Sequence, residues 1–291
     1  MFPAPFEYHR AESVQGAIGL LQELGDEAKL IAGGHSLLPI MKLRLAQPGH
    51  LIDLGWIDAL HGINAKGSLI RIGALTTHRQ IASDPTLQTQ CPILAEVAAT
   101  IGDVQVRNRG TIGGALAHAD AAADYPAAML ALDAEIVAQG PNSERTIPAS
   151  DFFVGFLTTA LEPNELLTEV RVQPQPSKTG ASYQKLANQA SGYALAGVAA
   201  IIAIGDDGRV SQARIGITGA ADTAARASGV EQALAGSSLD DAAIRAAAER
   251  AGDGIDFLDD IHASADYRRA VTIGLTRRAI QTAAARARES K

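Results

Sequence analysis

Two glycine-containing segments, separated by about eighty residues, carry the residue types in this chain that are best suited to binding chemistry. The first runs from Ala32 to Leu37 (Ala-Gly-Gly-His-Ser-Leu), and the second runs from Gly110 to Ala115 (Gly-Thr-Ile-Gly-Gly-Ala). Glycine lets a backbone approach a ligand closely, and the N–H groups at a helix start favour negative charge. Two such turns predict a diphosphate held from both sides. An alternative stays open, because a glycine pair between a strand and a helix is common in α/β proteins.

The spacing of these segments departs from the familiar nucleotide-binding and catalytic motifs. Neither segment contains G-x-G-x-x-G or G-x-x-x-x-G-K-[ST], and the chain lacks G-x-S-x-G and H-E-x-x-H. We therefore predict no catalytic residue. His35, His118, Asp120 and Asp124 stand near the two turns, but their spacing matches no metal motif, and acidic loops usually face water. We accordingly predict no metal site.

Composition narrows the classes of protein to which the chain can belong. The 291 residues carry a net charge of −7 and no basic stripe, which argues against nucleic acid as a partner. No apolar run approaches the roughly 20 residues that a spanning helix needs, and the N-terminal residues have no signal-like core, so we expect a cytoplasmic protein. Cys91 is the only cysteine. Because iron–sulfur clusters need several thiolates, any such cluster must belong to another subunit.

The elements that must position the two turns can be read from hydrophobic patterning. An apolar pair, Leu30 and Ile31, predicts a strand before the first turn, and Ser36 stands where the N-cap of a helix belongs. Asp124 could cap an apolar helix over 126–132 in the same way. The polar stretch 103–109 and the phenylalanine-rich stretch 151–156 are predicted as loops.

The second half of the chain has a different pattern. Three strands are predicted over 181–186, 194–204 and 210–218, and three alanine-rich helices follow them near 223–234, 239–251 and 265–285. Strands and helices in separate blocks predict an α+β module. The linker-like segment 173–177 marks the predicted domain boundary.

The two glycine turns belong to a longer series of motifs. In chain order the series is Phe6-Glu7-Tyr8, Ala32 to Leu37, Thr111 to Gly114, Ala123-Asp124-Tyr125-Pro126-Ala127, and Tyr183-Gln184-Lys185 followed by Ser191-Gly192-Tyr193-Ala194. In order and separation these motifs resemble the FAD-binding medium subunit of the molybdenum hydroxylase, or xanthine dehydrogenase, family. The resemblance covers nearly the whole chain and is nearest to the aerobic carbon monoxide dehydrogenase branch.

The resemblance implies a fold that patterning alone does not name. It implies the two-lobed FAD-binding fold of the vanillyl-alcohol oxidase (PCMH) type, followed by a small C-terminal α/β domain with a three-stranded sheet and helices. The FAD-binding domain would occupy 1–175, with lobes of about 1–55 and 56–175, and the C-terminal domain would occupy 178–287. FAD would lie extended between the lobes, with one glycine turn on either side of its diphosphate.

The resemblance also implies which residues contact FAD. Backbone N–H groups of both turns and the Ser36 hydroxyl would face the diphosphate, and Asp124 would hydrogen-bond the cofactor. Lys185 would place a cation near the flavin, and Tyr193 would lie beside its isoalloxazine ring. Without the resemblance, Lys185 reads equally well as an exposed strand residue and Tyr193 as a core residue. The implied set is Ala32, Gly33, Gly34, His35, Ser36, Leu37, Ile101, Thr111, Gly113, Gly114, Ala115, Asp124, Leu167, Lys185 and Tyr193.

The function that the resemblance implies is electron transfer in a heterotrimer. A large subunit would carry the molybdenum cofactor, a small subunit would carry two [2Fe–2S] clusters, and FAD in this chain would pass electrons to an external acceptor. We expect a dimer of heterotrimers, associated with the inner face of the membrane only through the complex. Two alternatives stay open: a stand-alone flavin oxidase or reductase of the same fold, and a scaffold subunit without catalysis. The substrate lies outside this chain, and carbon monoxide, an N-heterocycle, a purine and an aldehyde all fit.

Overall fold

The first lobe is a small parallel sheet with two helices. The structure, a computed structural model, describes residues 1–290. The elements of the lobe are β1 (Glu7–Arg10), α1 (Val14–Leu24), β2 (Ala28–Ile31), α2 (Leu37–Lys42) and β3 (His50–Asp53), and the strand order is β1-β3-β2. The Ser13 side chain caps α1 by accepting from the Gly16 N–H, and Gly25 ends the helix. Since all three strands run in parallel, the turn that follows β2 emerges at their carboxyl edge.

The second lobe is an antiparallel sheet with helices inserted between two of its strands. Its sheet order is β4-β5-β10-β6-β7. Many of its helices start with a clear signal: Thr77 forms a capping box with Gln80, and Pro85 and Pro92 occupy first helical turns. The elements are β4 (Ile63–Lys66), β5 (Leu69–Gly73), α3 (His78–Ser83), α4 (Pro85–Gln90), α5 (Pro92–Thr100), α6 (Val104–Arg109), α7 (Ile112–His118), α8 (Tyr125–Ala131), β6 (Glu135–Gln139), β7 (Glu144–Pro148), α9 (Ala149–Phe152), β8 (Phe153–Gly155), β9 (Thr158–Thr159) and β10 (Leu166–Val172).

The C-terminal part is an antiparallel sheet followed by helices. Its sheet has the order β11-β12-β13-β14, so the predicted three strands gain a fourth strand of two residues. The elements are β11 (Thr179–Ala187), β12 (Ala194–Ile204), β13 (Val210–Thr218), β14 (Ala225–Arg226), α10 (Ser228–Leu234), α11 (Asp241–Ala248) and α12 (Ala265–Glu289). Among the described residues, no helix combines the length and the apolar character required to cross a bilayer.

The sheet of the C-terminal part is buried on both faces. Alternate residues of β12 join different cores: Val198 and Ala200 pack with α12, whereas Ala199 and Ile201 join the core of the second lobe. Glycines allow both contacts, because a Cβ on Gly180 would lie 2.0 Å from the Ala283 carbonyl oxygen of α12, and one on Gly216 would lie 2.0 Å from the Ala127 carbonyl oxygen of α8. This double burial fixes β11 and β12 against the second lobe.

Two predicted loops turn out to contain regular structure. The polar stretch after Asp103 forms α6, whose start Asp103 caps through the Val106 N–H. The phenylalanine-rich stretch contains the end of α9 and a β8–β9 hairpin, and Phe152 is fully buried there. Patterning missed both elements because each is shorter than two periods of its hydrophobic pattern.

Candidate cofactor site

The first glycine turn presents a row of unused hydrogen-bond donors. From Ala32 to Leu37, no backbone N–H donates to an acceptor within residues 1–290. Inside the turn, the Gly33 carbonyl oxygen lies 2.8 Å from His35 Nδ1. Gly34 adopts a φ of 74°, a left-handed conformation that glycine accepts without strain. Six consecutive donors at the carboxyl edge of a parallel sheet fit an anionic diphosphate.

Ser36 occupies the predicted position but does not cap the helix. It precedes α2, yet its backbone is in the αR region and its side chain makes no capping hydrogen bond, so the predicted capping role is wrong. The hydroxyl lies instead beside the phenol of Tyr193. Partial burial and the Asp120 carboxylate raise the pKa of the Tyr193 phenol, and the hydrogen bond with Ser36 opposes that shift. Ser36 therefore keeps a hydroxyl at the site, available to a ligand.

In the second glycine turn, by contrast, the backbone donors from Ile112 to Ala115 are engaged within the protein. The Thr111 side chain caps α7 by accepting from the Gly114 N–H, as a helix N-cap does. The Gly113 N–H donates to the Ala74 carbonyl oxygen at 2.8 Å, and the Ala115 N–H donates to the Thr111 carbonyl oxygen at 3.0 Å. The turn thus does not offer the row of free donors that the resemblance implies.

The structure brings the two turns into direct contact. A Cβ built on Gly33 would lie 2.2 Å from the Arg109 carbonyl oxygen and 2.7 Å from the Gly110 Cα. A Cβ built on Gly114 would lie 3.7 Å from the Ala32 Cβ. Glycine at position 33 is therefore required for the approach of one lobe to the other. The two turns consequently meet at Gly33 and Gly110 and at Ala32 and Gly114.

A buried ion pair lies at the end of the loop that follows the second turn. The Lys185 ammonium is 2.9 Å from the Asp124 carboxylate, with 7% and 5% of the two side chains exposed. The Tyr183 hydroxyl donates to the same carboxylate at 2.6 Å, and Lys185 also donates to the Thr100 carbonyl oxygen. Burial raises the pKa of Asp124, and the Lys185 charge opposes this shift. The pair is neutral overall, which changes the expectation of an isolated cation at Lys185.

This geometry also decides between the alternatives left by the sequence. Asp124 makes no capping hydrogen bond to α8, so the helix-cap interpretation is wrong. Lys185 is buried, so it is not an exposed strand lysine. Tyr193 is 39% exposed and lies before β12 rather than in the core.

The loop that carries Tyr193 closes the site from the C-terminal side. Asn188 and Tyr193 are joined by a backbone hydrogen bond of 2.8 Å across the loop, and the Ala194 N–H donates to the Ala122 carbonyl oxygen. Gly192 approaches the segment that contains Ile101, because a Cβ on Gly192 would lie 3.6 Å from the Gly102 Cα. Ile101, Lys185 and Tyr193 therefore lie on one side of the site.

A cleft of about 260 Å³ opens beside Tyr193, between the second lobe and the C-terminal part. Asp120 and Phe156 line it from the second lobe, and Tyr193, His262 and Arg268 line it from the C-terminal part. Arg268 is 4% exposed and is held by the Asp260 carboxylate at 2.7 Å and by two backbone carbonyl groups. An aromatic side chain and several polar groups along the lining suit a planar heterocycle.

Two predicted residues, Leu167 and Ala115, pack into the core of the second lobe. Leu167 is 5% exposed in the core of the second lobe, where it pairs with Ala138. Ala115 lies on α7 and packs against the same core. Leu167 is buried and Ala115 is partly buried, and the contact of both residues with a cofactor stays a prediction.

Two residues that the sequence analysis did not select support the site from behind. Tyr183 binds Asp124, and its spacing from Lys185 could have revealed it, because residues two apart on a strand share a face. His78 lies under Gly110, with Nδ1 3.2 Å from the Tyr125 hydroxyl. Burial, together with the charges of His35 and Arg107, lowers the pKa of His78 to about 4, so the imidazole is neutral at physiological pH. No sequence motif marks His78.

Comparison with known proteins agrees with this geometry. Residues 4–176 match the FAD binding domain in molybdopterin dehydrogenase, and residues 181–283 match the CO dehydrogenase flavoprotein C-terminal domain. The chain is 44% identical to the carbon monoxide dehydrogenase medium chain of Hydrogenophaga pseudoflava, over 98% of this chain and 99% of that one. It is 40% identical to the 6-hydroxypseudooxynicotine dehydrogenase complex subunit alpha of Paenarthrobacter nicotinovorans, over 100% of this chain and 98% of the relative.

A solved structure confirms the fold class. Carbon monoxide dehydrogenase from Hydrogenophaga pseudoflava, in a form that lacks the Mo-pyranopterin moiety of its cofactor, contains a chain that superposes with a TM-score of 0.95. That chain is 46% identical in sequence, and the match covers 98% of this chain and 99% of that chain. The prediction of a two-lobed FAD-binding fold followed by a C-terminal domain is therefore confirmed.

Proposed function

Since this chain belongs to the family of FAD-binding subunits of molybdopterin dehydrogenases, we propose that it is the electron-transfer subunit of a heterotrimeric molybdenum hydroxylase. The observation that carries the proposal is the row of unused N–H donors from Ala32 to Leu37, which lies in contact with a second turn from the other lobe. A donor row at this place holds the anionic part of FAD.

The first turn is the anion-binding part of the proposed site. The N–H groups of the turn and the Ser36 hydroxyl donate to the diphosphate, and a charge-assisted hydrogen bond of this kind contributes about 1.5–3 kcal/mol. In the second turn, Gly114 lets the backbone lie close to the diphosphate. The Thr111 hydroxyl oxygen accepts from the Gly114 N–H, and its own O–H can still donate to the ligand. Each turn therefore has a different task, although both contain a Gly-Gly pair.

The flavin end of the proposed site is the cleft beside Tyr193. Tyr193 lines that cleft, and Asp124 of the buried Asp124–Lys185 pair follows the lining residues 120–122 in the chain. Bound FAD supplies the chemistry, since it accepts electrons from one donor and releases them to another. The side chains orient the cofactor and exclude water, and none of them needs to move a proton.

The partners follow from what this chain lacks and from its relatives. Its single cysteine cannot ligate an iron–sulfur cluster, so the clusters and the molybdenum cofactor belong to a small and a large partner subunit. We propose a dimer of such heterotrimers and an external electron acceptor. The chain is similar to subunits of enzymes with quite different substrates, at 44% and 40% identity, which is expected if the substrate pocket lies in a partner.

The proposal is tested by purifying the chain through a tag and measuring what accompanies it. We expect one FAD per chain, released by heat and seen as flavin absorbance, together with two co-purifying polypeptides that carry molybdenum and iron. Chemically reduced iron–sulfur subunit added to the chain should bleach the flavin absorbance. Steady turnover of small donors by the chain alone would favour a stand-alone oxidase, and a colourless chain would contradict both.

A further inference from the structure

Three side chains that the proposed function does not use converge at the start of the first-lobe sheet. Glu7 and His9 lie two residues apart on β1, so both point to the same face. His50 opens β3 and stands opposite Glu7 in the parallel register. One carboxylate oxygen of Glu7 and one ring nitrogen from each histidine all lie within 4.8 Å of one another.

The cluster contains one hydrogen bond and one longer contact. His50 Nδ1 lies 3.0 Å from His9 Nε2 and 3.5 Å from Glu7 Oε2. The hydrogen bond between the two histidines uses His50 Nδ1, and the Glu7 carboxylate keeps only the longer contact. A cation between the three atoms would use a lone pair from each of them.

The same distances fit a tetrahedral metal site. With metal–ligand bonds of about 2.0–2.2 Å, adjacent ligand atoms in a tetrahedron lie roughly 3.3–3.6 Å apart. The Glu7–His50 separation of 3.5 Å falls in that range, and the His9–His50 separation of 3.0 Å is slightly shorter. Glu7 is 75% exposed, so its carboxylate can rotate into the position that a metal requires, and water can reach a fourth position.

We propose that Glu7, His9 and His50 bind a divalent transition-metal cation of the zinc class and that the cation joins β1 to β3. Two imidazoles and one carboxylate favour zinc and its neighbours over magnesium and calcium, which prefer oxygen ligands. The ligands lie on paired strands, where the Glu7 N–H donates to the Gly49 carbonyl oxygen at 2.8 Å, so the backbone positions are already fixed.

The metal site is separate from the cofactor site. His50 pairs with Ala28 at the start of β2, whereas the first glycine turn follows Ile31 at the end of that strand. The cluster therefore lies near the amino-terminal ends of the strands, opposite the end from which the glycine turn emerges. Metal binding there does not depend on the proposed electron-transfer function. Its role would be to hold the N-terminal strand, which is at an edge of the sheet.

The test is a zinc titration of the full-length, FAD-loaded chain after treatment with a chelator. Zinc sulfate is added near pH 8, and binding is followed by calorimetry. We expect one zinc ion per chain and a higher unfolding temperature in its presence, because a ligand that binds only the folded state stabilises it. The variants Glu7→Gln, His9→Asn and His50→Asn should each lose this binding event while retaining FAD.

The matched control is His61→Asn, because His61 is exposed and lies outside the cluster. The control should bind zinc as the unmodified chain does. X-ray absorption at the zinc edge should show two nitrogen ligands of the imidazole type in the unmodified chain. If no one-equivalent event occurs, or if it persists in all three cluster variants, the proposal is overturned and the histidine pair is only a hydrogen bond.

Discussion

The two glycine turns look alike in sequence but differ in how their polar groups are used. In the first turn, Ala32–Leu37, the backbone donors have no acceptor within the described residues, and the Ser36 side chain does not cap its helix. In the second region, from Thr111 to Asp124, the donors at the start of α7 are engaged and the Asp124 carboxylate is paired with Lys185. The first region thus has donors free to bind a ligand, whereas the polar groups of the second region stabilise the packing of the protein.

This difference between the two turns shows that a Gly-Gly motif has two separate physical uses. In the first turn, Gly34 supplies a left-handed backbone. In the second, Gly113 supplies space, because a Cβ there would lie 2.5 Å from the Ala74 Cβ. Substitutions in the first region should therefore change FAD affinity, whereas those in the second should change the free energy of unfolding.

The substitution Gly33→Val should have the largest effect, because this residue belongs to the first turn but contacts the second. Its first side-chain atom would lie 2.2 Å from a backbone oxygen that cannot rotate away, so the lobes must separate. We expect FAD to be lost while the C-terminal sheet stays folded. The flavin content of the purified variant and its circular dichroism measure the two effects.

The matched control for Gly33→Val is Gly19→Val, because a Cβ on Gly19 meets no atom within 4 Å. That variant should keep its FAD and its stability, because valine is no poorer a helix former than glycine. Full flavin content in Gly33→Val would show that the turns are not held in contact.

The second-largest effect is expected for Lys185→Met, which removes the partner of Asp124 in the second region. Removing the ammonium leaves the Asp124 carboxylate buried without a partner charge, which typically costs about 3–5 kcal/mol of unfolding free energy. The cost should be largest near neutral pH and should shrink in acid, because a protonated Asp124 needs no counter-charge. Chemical denaturation at several pH values measures it.

The pH dependence of Asp124 gives a further check through Asp124→Asn. Burial raises the folded-state pKa of Asp124 above its unfolded value, so its contribution to stability is present below the ordinary carboxyl pKa and is lost as pH rises through the folded pKa. The stability of the unmodified chain relative to Asp124→Asn should therefore fall with rising pH over that range. An unchanged difference at every pH would mean that Asp124 is not desolvated.

The sequence predicted that the two turns come together better than it predicted the local role of each residue. Both turns were expected at one ligand, and the structure does place Gly33 against Gly110. The capping roles of Ser36 and Asp124 were wrong, because capping preference is a local tendency and both residues have stronger tertiary neighbours. The use of the second-turn donors could not be predicted, since it depends on Ala74, which is distant in sequence.

The smallest and sharpest contrast is between Ser36→Ala and Thr111→Ala, which remove the same kind of hydroxyl from the two turns. Ser36 makes no capping hydrogen bond, so its loss should leave the free energy of unfolding of the apoprotein within a few tenths of a kcal/mol and should weaken FAD binding by roughly tenfold. Thr111 caps α7, so its loss should cost about 1 kcal/mol of stability, with a smaller effect on FAD. Flavin fluorescence titration and urea denaturation measure the two quantities. Equal effects of the two variants on both quantities would mean that the turns share one task after all.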